Sequence, residues 1–134
     1  RLQGHDGSVY ALEFFSNGHM LASGGRDGAV RLWDACTSEL KLQITVNQMV
    51  FDVSVTPDAS IVASANWDAA VQLWCTTDGV LVRSLRGHIA NMRCVAFSPD
   101  GSSLASGGLD RRVKVWDVAS GRERCTVMHD GGGV

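Results

Sequence analysis

Three side chains near the start of the chain are of the types that form a catalytic triad. His5, Ser23 and Asp27 could act as the base, the nucleophile and the orienting acid of an acyl transfer. The same three types return further along the chain, in the same order and spacing, at His88, Ser106 and Asp110. Because an enzyme does not normally carry a second copy of its active site, the duplication favours a structural role. We therefore expect no enzymatic activity and no catalytic residue.

The duplication is part of an internal repeat. Residues 4–34 and 87–117 align without a gap, and residues 50–74 form a third, more divergent copy. Trp33, Trp74 and Trp116 mark the copies at intervals of 41 and 42 residues. A fixed period of this size is typical of repeat proteins, in which each unit stacks on its neighbours.

Each unit consists of short apolar runs separated by turn residues. In the first unit the runs rich in Val, Leu, Ile, Phe and Trp are 9–15, 20–23, 29–33 and 40–46. Gly, Asn and Asp stand between the first three runs, where a tight turn needs positive φ. No segment of a dozen residues has uninterrupted helical periodicity. The pattern predicts an all-β fold.

The anchor residues of the repeat resemble those of the WD40 family. They comprise an opening Gly-His, a Leu-Ala-Ser-Gly block and a closing Trp-Asp, at 4–5, 21–24 and 33–34 and again at 87–88, 104–107 and 116–117. The resemblance covers nearly the whole chain. It implies β-propeller blades, each a four-stranded antiparallel sheet, and hence three blades of a partial or oligomer-completed propeller.

The resemblance also gives the triad-like residues a structural role. In this family the matching His, Ser, Asp and Trp form a hydrogen-bonded tetrad within each blade, in which every buried donor finds an acceptor. The implied tetrad residues are His5, Ser23, Asp27 and Trp33, then Ser64, Asp68 and Trp74, then His88, Ser106, Asp110 and Trp116. The second unit has Val46 where His is expected. We expect this unit to be the least stable, by about 1–3 kcal/mol if a buried partner is left unpaired.

The family commonly binds partners on the face that carries the loops before each first strand and between the second and third strands. By resemblance, three positions per unit point to that face: Ser8, Tyr10 and Arg26, then Met49, Phe51 and Trp67, then Asn91, Arg93 and Leu109. Aromatic residues, Met and Arg are enriched at protein interfaces. We expect a patch centred on Trp67 and Phe51, with Arg26 and Arg93 beside it to pair with acidic groups. The alternative for Phe51 and Met49 is that they tuck inward.

The repeat also sets the expected boundaries along the chain. We expect residues 1–3 to end a preceding outer strand, 4–45 to be repeat 1, 46–86 the degenerate repeat 2 without Gly-His, 87–128 repeat 3, and 129–134 the start of a further repeat or a tail. We therefore expect the chain to be part of a longer array of repeats. Three blades alone would leave two apolar sheet faces in water, so a complete chain of this length would self-associate.

Composition narrows the function further. The formal net charge is −2, so nothing indicates direct binding to nucleic acid. The sequence has no apolar stretch of 18 residues, so we expect no contact with a membrane. The four cysteines do not have the spacing of a zinc site, and we expect no metal and no cofactor. We expect the cysteines to be free thiols, as in an intracellular protein, either cytoplasmic or nuclear. The predicted function is a non-catalytic scaffold that binds protein or peptide partners. The alternative is a regulatory or targeting module of a larger multidomain enzyme or of a nucleic-acid-handling complex.

Overall fold

The computed structural model describes residues 1–128, which form three four-stranded antiparallel sheets. The first sheet contains β1 (Val9–Phe15), β2 (Met20–Gly25), β3 (Ala29–Asp34) and β4 (Leu40–Thr45). The second contains β5 (Val50–Val55), β6 (Ile61–Asn66), β7 (Ala70–Cys75) and β8 (Leu81–Arg86). The third contains β9 (Met92–Phe97), β10 (Ser103–Gly108), β11 (Arg112–Asp117) and β12 (Glu123–Met128). The predicted all-β class is confirmed. The expected further repeat at 129–134 lies outside the described residues.

Every sheet is a meander in which neighbouring strands are consecutive in the chain. The first hairpin shows why the sequence folds this way. Ser16 and Asn17 have φ of 51° and 53°, and the Gly18 amide donates to the Phe15 carbonyl at 3.1 Å. Positive φ at both central residues makes a type I′ turn, whose twist matches that of the strands it joins.

The sheets stack face to face, and their first strands β1, β5 and β9 pack against one another. One apolar core lies between the first and second sheets and includes Val30 and Leu32 on one side and Val50 and Val53 on the other. The approach is close at Gly24, where a Cβ would fall 2.5 Å from Val50 Cγ1. A second core, with Leu73, Leu85, Met92 and Leu104, lies between the second and third sheets.

Side chains of one sheet also satisfy the free edge of the next first strand. Glu13 accepts a hydrogen bond from the Val55 amide at 3.1 Å, and Asp52 accepts from the Val95 amide at 3.0 Å. Burial raises the pKa of both carboxyl groups. These bonds hold the first strands in one row, so equivalent positions of successive sheets become neighbours.

All four cysteines are free thiols. Within residues 1–128, no helix is long and apolar enough to cross a membrane.

Candidate functional site

The triad-like residues of the first sheet meet inside the sheet. His5 Nδ1 lies 3.0 Å from Asp27 Oδ1, and His5 Nε2 lies 2.7 Å from Ser23 Oγ. The Trp33 indole N–H donates to the same Ser23 oxygen at 2.8 Å. These distances fit a histidine that donates from Nδ1 to the carboxylate and accepts from the serine hydroxyl at Nε2.

The third sheet repeats this geometry. His88 Nδ1 lies 2.7 Å from Asp110 Oδ2, and His88 Nε2 lies 2.8 Å from Ser106 Oγ. Trp116 Nε1 donates to Ser106 Oγ at 2.7 Å. Ser23 and Ser106 are both buried, and each hydroxyl oxygen is held between an imidazole and an indole. Both partners of each hydroxyl are protein side chains, and the same geometry occurs in two sheets, which suits a structural network. A pocket of about 450 Å³ adjoins this network in the first sheet and is lined by His5, Ser23 and Trp33 among others.

Buried charges that were not predicted from the sequence lie next to this network. Arg31 Nη1 donates to Asp27 Oδ2 at 2.6 Å and lies equally close to His5 Nδ1. Burial opposes ionisation of Asp27, but the hydrogen bonds from Arg31 and His5 outweigh it and hold the pKa of Asp27 below its ordinary value. In the third sheet the buried Lys114 donates to Glu123 at 2.7 Å. The signal was available, because both basic residues stand between apolar neighbours at equivalent points of β3 and β11.

The second sheet replaces these charges with a neutral pair. Trp74 Nε1 donates to Ser64 Oγ at 3.0 Å, as in the other sheets. Val46, at the histidine position, is buried in the apolar core, and Asp68 is exposed to solvent. Asn66 Nδ2 donates instead to Gln72 Oε1 at 2.8 Å. The second sheet therefore keeps the strand arrangement of the other two but has a neutral hydrogen-bonded pair in place of their buried charges.

One backbone hydrogen bond, repeated in each sheet, joins six of the nine positions expected on the loop face. Three amides donate to three carbonyls: Arg26 to Ser8 at 2.8 Å, Trp67 to Met49 at 3.1 Å, and Leu109 to Asn91 at 3.0 Å. Each bond joins the loop before a first strand to the loop between a second and a third strand. Ser8, Met49 and Asn91 thus serve this face through their carbonyl groups, which is a role that side-chain chemistry did not indicate.

Four of the nine side chains form one cluster across the three sheets. Tyr10 stacks on Phe51 with ring centroids 5.5 Å apart, and Trp67 lies tilted against Phe51 at 5.9 Å. The Arg93 guanidinium carbon lies 4.4 Å from the centroid of the same Phe51 ring. Tyr10 and Trp67 are each 46% exposed, whereas Phe51 is half-buried among its neighbours. We call Tyr10, Phe51, Trp67 and Arg93 the aromatic patch.

Phe51 is half-buried, so it is neither fully exposed on the loop face nor fully tucked inward. Its ring supports the exposed rings of Tyr10 and Trp67 and the guanidinium of Arg93. Met49 is half-buried too, beside Trp67. Leu109 lies exposed on the third sheet.

A pocket of about 420 Å³ adjoins the patch between the first and second sheets. Its wall is made by Arg26, Asp27 and Gly28 on one side and by residues 47–49 with Trp67 on the other. Among residues 1–128, no group of three or more His, Cys, Asp or Glu side chains could hold a metal ion.

Known proteins match both the sequence and the fold. The family model described as "WD domain, G-beta repeat" matches residues 1–34, 38–75 and 79–117. Among curated proteins, Protein tipD of Dictyostelium discoideum is 35% identical over 94 residues, covering 69% of this chain and 15% of that protein. WD repeat and SOCS box-containing protein 1 of Danio rerio is 36% identical over 92 residues, covering 66% of this chain and 22% of that protein. The chain thus spans about a fifth or less of these relatives.

Two solved structures match the fold over 99% of the chain. The crystal structure of RRP9 WD40 repeats matches with a TM-score of 0.93 at 22% identity, and this chain covers 42% of it. The structure of U3-55K matches with a TM-score of 0.94 at 21% identity, and this chain covers 43% of it. At these identities the likeness concerns the fold.

Proposed function

Because the chain belongs to the WD40 family, we propose that its three blades act as a non-catalytic scaffold that binds a protein or peptide segment on the loop face. The observation that carries the proposal is the aromatic patch. Two large rings are half exposed on adjacent blades, Tyr10 on β1 and Trp67 in the loop between β6 and β7, and both are held in place by contacts with Phe51. Exposed aromatic side chains that are already ordered lose little conformational entropy when a partner covers them.

The composition of the aromatic patch supports the same role. Trp, Tyr and Arg are the residues that most often dominate the binding energy of protein interfaces. The Arg93 guanidinium lies over the Phe51 ring, where cation–π attraction holds it in the patch. The patch therefore offers a partner a rigid surface with an apolar centre and a cationic border.

A second candidate function is favoured by the lengths of the relatives. Since the chain spans 15% of Protein tipD and 22% of WD repeat and SOCS box-containing protein 1, we also propose that these blades are the targeting module of a larger intracellular protein. Such a module could belong to a multidomain enzyme or to a complex that handles nucleic acid. The two candidates are compatible, because targeting would use the same loop face.

The test is selection of binding peptides from a phage-displayed library of random 12-residue peptides against the purified protein. We expect Trp67→Ala to weaken the selected peptides by about 30-fold or more, since truncating a hot-spot Trp costs about 2 kcal/mol or more. Leu40→Ala is the matched control, because Leu40 is an equally exposed apolar side chain on β4. Urea unfolding of both variants shows whether the fold is kept. Unchanged affinity in a folded Trp67→Ala variant would contradict the proposal.

A further inference from the structure

The pocket beside the aromatic patch lies between equivalent residues of two blades. Arg26 and Trp67 occupy the same position of repeats 1 and 2, and they face each other across the pocket. The Arg26 amide is fixed by the Ser8 carbonyl, and its side-chain stem passes over Gly7, where an added Cβ would lie 3.5 Å from the Arg26 Cβ. Gly7 has φ of 141°, a conformation that favours glycine. The Arg26 stem is thus within contact distance of the Gly7 backbone, whose conformation is fixed by glycine.

The charges that line this pocket do not compensate one another. The Asp27 carboxylate is taken up by Arg31 at 2.6 Å and by His5 at 3.0 Å, so its negative charge is balanced inside the blade. In the part of the chain that the structure describes, the exposed Arg26 guanidinium forms no ion pair. Asp68, which follows Trp67 in the sequence, does not line the pocket and accepts a hydrogen bond from the Ala70 amide at 3.3 Å. The pocket therefore has an uncompensated positive charge.

The two arginines of the loop face, Arg26 and Arg93, differ in whether the guanidinium already contacts another side chain of the patch. The Arg93 guanidinium is stacked over Phe51 and is part of the patch surface. Arg26 lines the pocket together with Trp67, and its guanidinium is in none of the ion pairs of the described residues. An anion that enters here would meet a charged donor and an aromatic side chain in the same pocket.

We infer that the bound segment places an acidic side chain in this pocket, where Arg26 receives its carboxylate while an adjacent apolar side chain of the segment packs on Trp67. The inference rests on the proposed function and names the chemistry of the partner: an extended segment in which Asp or Glu adjoins an apolar residue. Arg26 selects the segment, and Trp67 supplies the contact area.

The experiment repeats the peptide selection with charge reversal at Arg26. Peptides selected by the unchanged protein are expected to be enriched in Asp or Glu next to an apolar residue. Arg26→Glu should instead select Lys or Arg at that place. The matched control is Lys41→Glu, which reverses an exposed charge on β4 and should leave the selection unchanged.

Affinities measured with one selected acidic peptide then test the pairing directly. Arg26→Glu and a Glu→Gln change in the peptide should each weaken binding by at least tenfold, and the peptide change should have little further effect in the Arg26→Glu variant. Selected peptides without acidic enrichment, or acidic enrichment that survives Arg26→Glu, would overturn the inference and leave binding at the aromatic patch in place. Peptides that bind Trp67→Ala as well as the unchanged protein would instead contradict the proposed function.

Discussion

A single position in the third strand sets the character of each blade's interior. Arg31 in the first blade pairs with Asp27, and Lys114 in the third pairs with Glu123. Gln72 holds the same position in the second blade and accepts a hydrogen bond from Asn66. A buried charge needs a charged partner, whereas a buried amide needs only a hydrogen bond. The residue at this position thus decides whether the blade contains an ionic or a neutral network.

Replacing Arg31 by Ala should lower the free energy of unfolding by about 3 kcal/mol, because it leaves the largely buried Asp27 carboxylate without its cation. Lys41→Ala is the control: the Lys41–Glu39 pair is exposed, and such pairs contribute about 1 kcal/mol or less. Urea unfolding at neutral pH measures both. Equal effects of the two substitutions would show that burial of the Arg31 pair does not matter.

The pH dependence of the same variant gives a second readout. The folded-state pKa of Asp27 is depressed, so its contribution to stability is present above the unfolded value of about 3.8 and is lost as the pH falls below it. Without Arg31 the folded-state pKa should rise toward that value. The stability difference between the two proteins should therefore shrink as the pH falls below about 4. A difference that stays constant there would mean that the lost stability came from packing of the Arg31 stem.

At the scale of whole elements, the second blade differs from the first at three neighbouring positions of the buried network. Val46, Asn66 and Gln72 stand where the first blade has His5, Gly25 and Arg31. A Cβ at Gly25 would lie 2.6 Å from the Ser8 carbonyl oxygen and 3.4 Å from His5 Nδ1, so the glycine allows the loop before β1 to approach β2 closely, with the histidine ring in contact beside it. Asn66 is buried and bonded to Gln72 in the space that this exchange creates.

Restoring the histidine by itself should therefore fail to stabilise the second blade. The expectation that the second unit is the least stable because it lacks the histidine would by itself imply a gain in stability from Val46→His. With Asn66 in place, we expect it to lower the free energy of unfolding by about 1–3 kcal/mol, because a buried imidazole would lack partners. Val46→His combined with Asn66→Gly should recover part of that loss by opening a route to Asp68.

Thermal and urea unfolding of the two single variants and the double variant form a cycle that isolates the coupling between the two positions. The Asn66→Gly single variant is the control for the loss of the hydrogen bond to Gln72. Additive effects, or a more stable Val46→His protein, would contradict the coupling.

At the scale of the whole molecule, the first blade presents an apolar face to solvent. Leu12 and Phe14 on β1 are 65% and 64% exposed. Their equivalents on β5 are Val53 and Val55, which are 3% and 6% exposed because the first blade covers them. The open face of the first blade thus has the residue pattern of a face that is covered elsewhere in the same chain.

This exposure predicts self-association of the 134-residue chain through the open sheet face. Sedimentation over a concentration series should show a mass that rises with concentration. Leu12→Lys combined with Phe14→Lys should shift the mass toward that of one chain, because two charges would have to be buried. Ile89→Lys is the control, since Ile89 is 74% exposed in the loop before β9 and outside the sheet face. A mass that does not change with concentration in the unchanged protein would contradict this prediction.

The fold can be predicted from the sequence, because the repeat period and the pattern within each repeat are visible in the chain itself. The spacing of Trp33, Trp74 and Trp116 and the turn residues between apolar runs are enough to predict three all-β units. The expected repeat boundaries and the partner-binding role of the nine loop residues stay predictions. The resemblance to the WD40 family named the residues that meet inside the first and third blades. In the second blade only Ser64 and Trp74 of the expected set meet, because Asp68 is exposed to solvent.

The contacts between blades, in contrast, become visible in the three-dimensional structure. The stacking of Tyr10, Phe51 and Arg93 joins three first strands that are distant in the chain, and the pocket beside Trp67 has its walls on two blades. The apolar neighbours of Arg31 in the sequence indicate that it is buried, but they do not identify Asp27 as its partner. Such contacts depend on the distance between elements rather than on the pattern within them, and packing alone sets that distance.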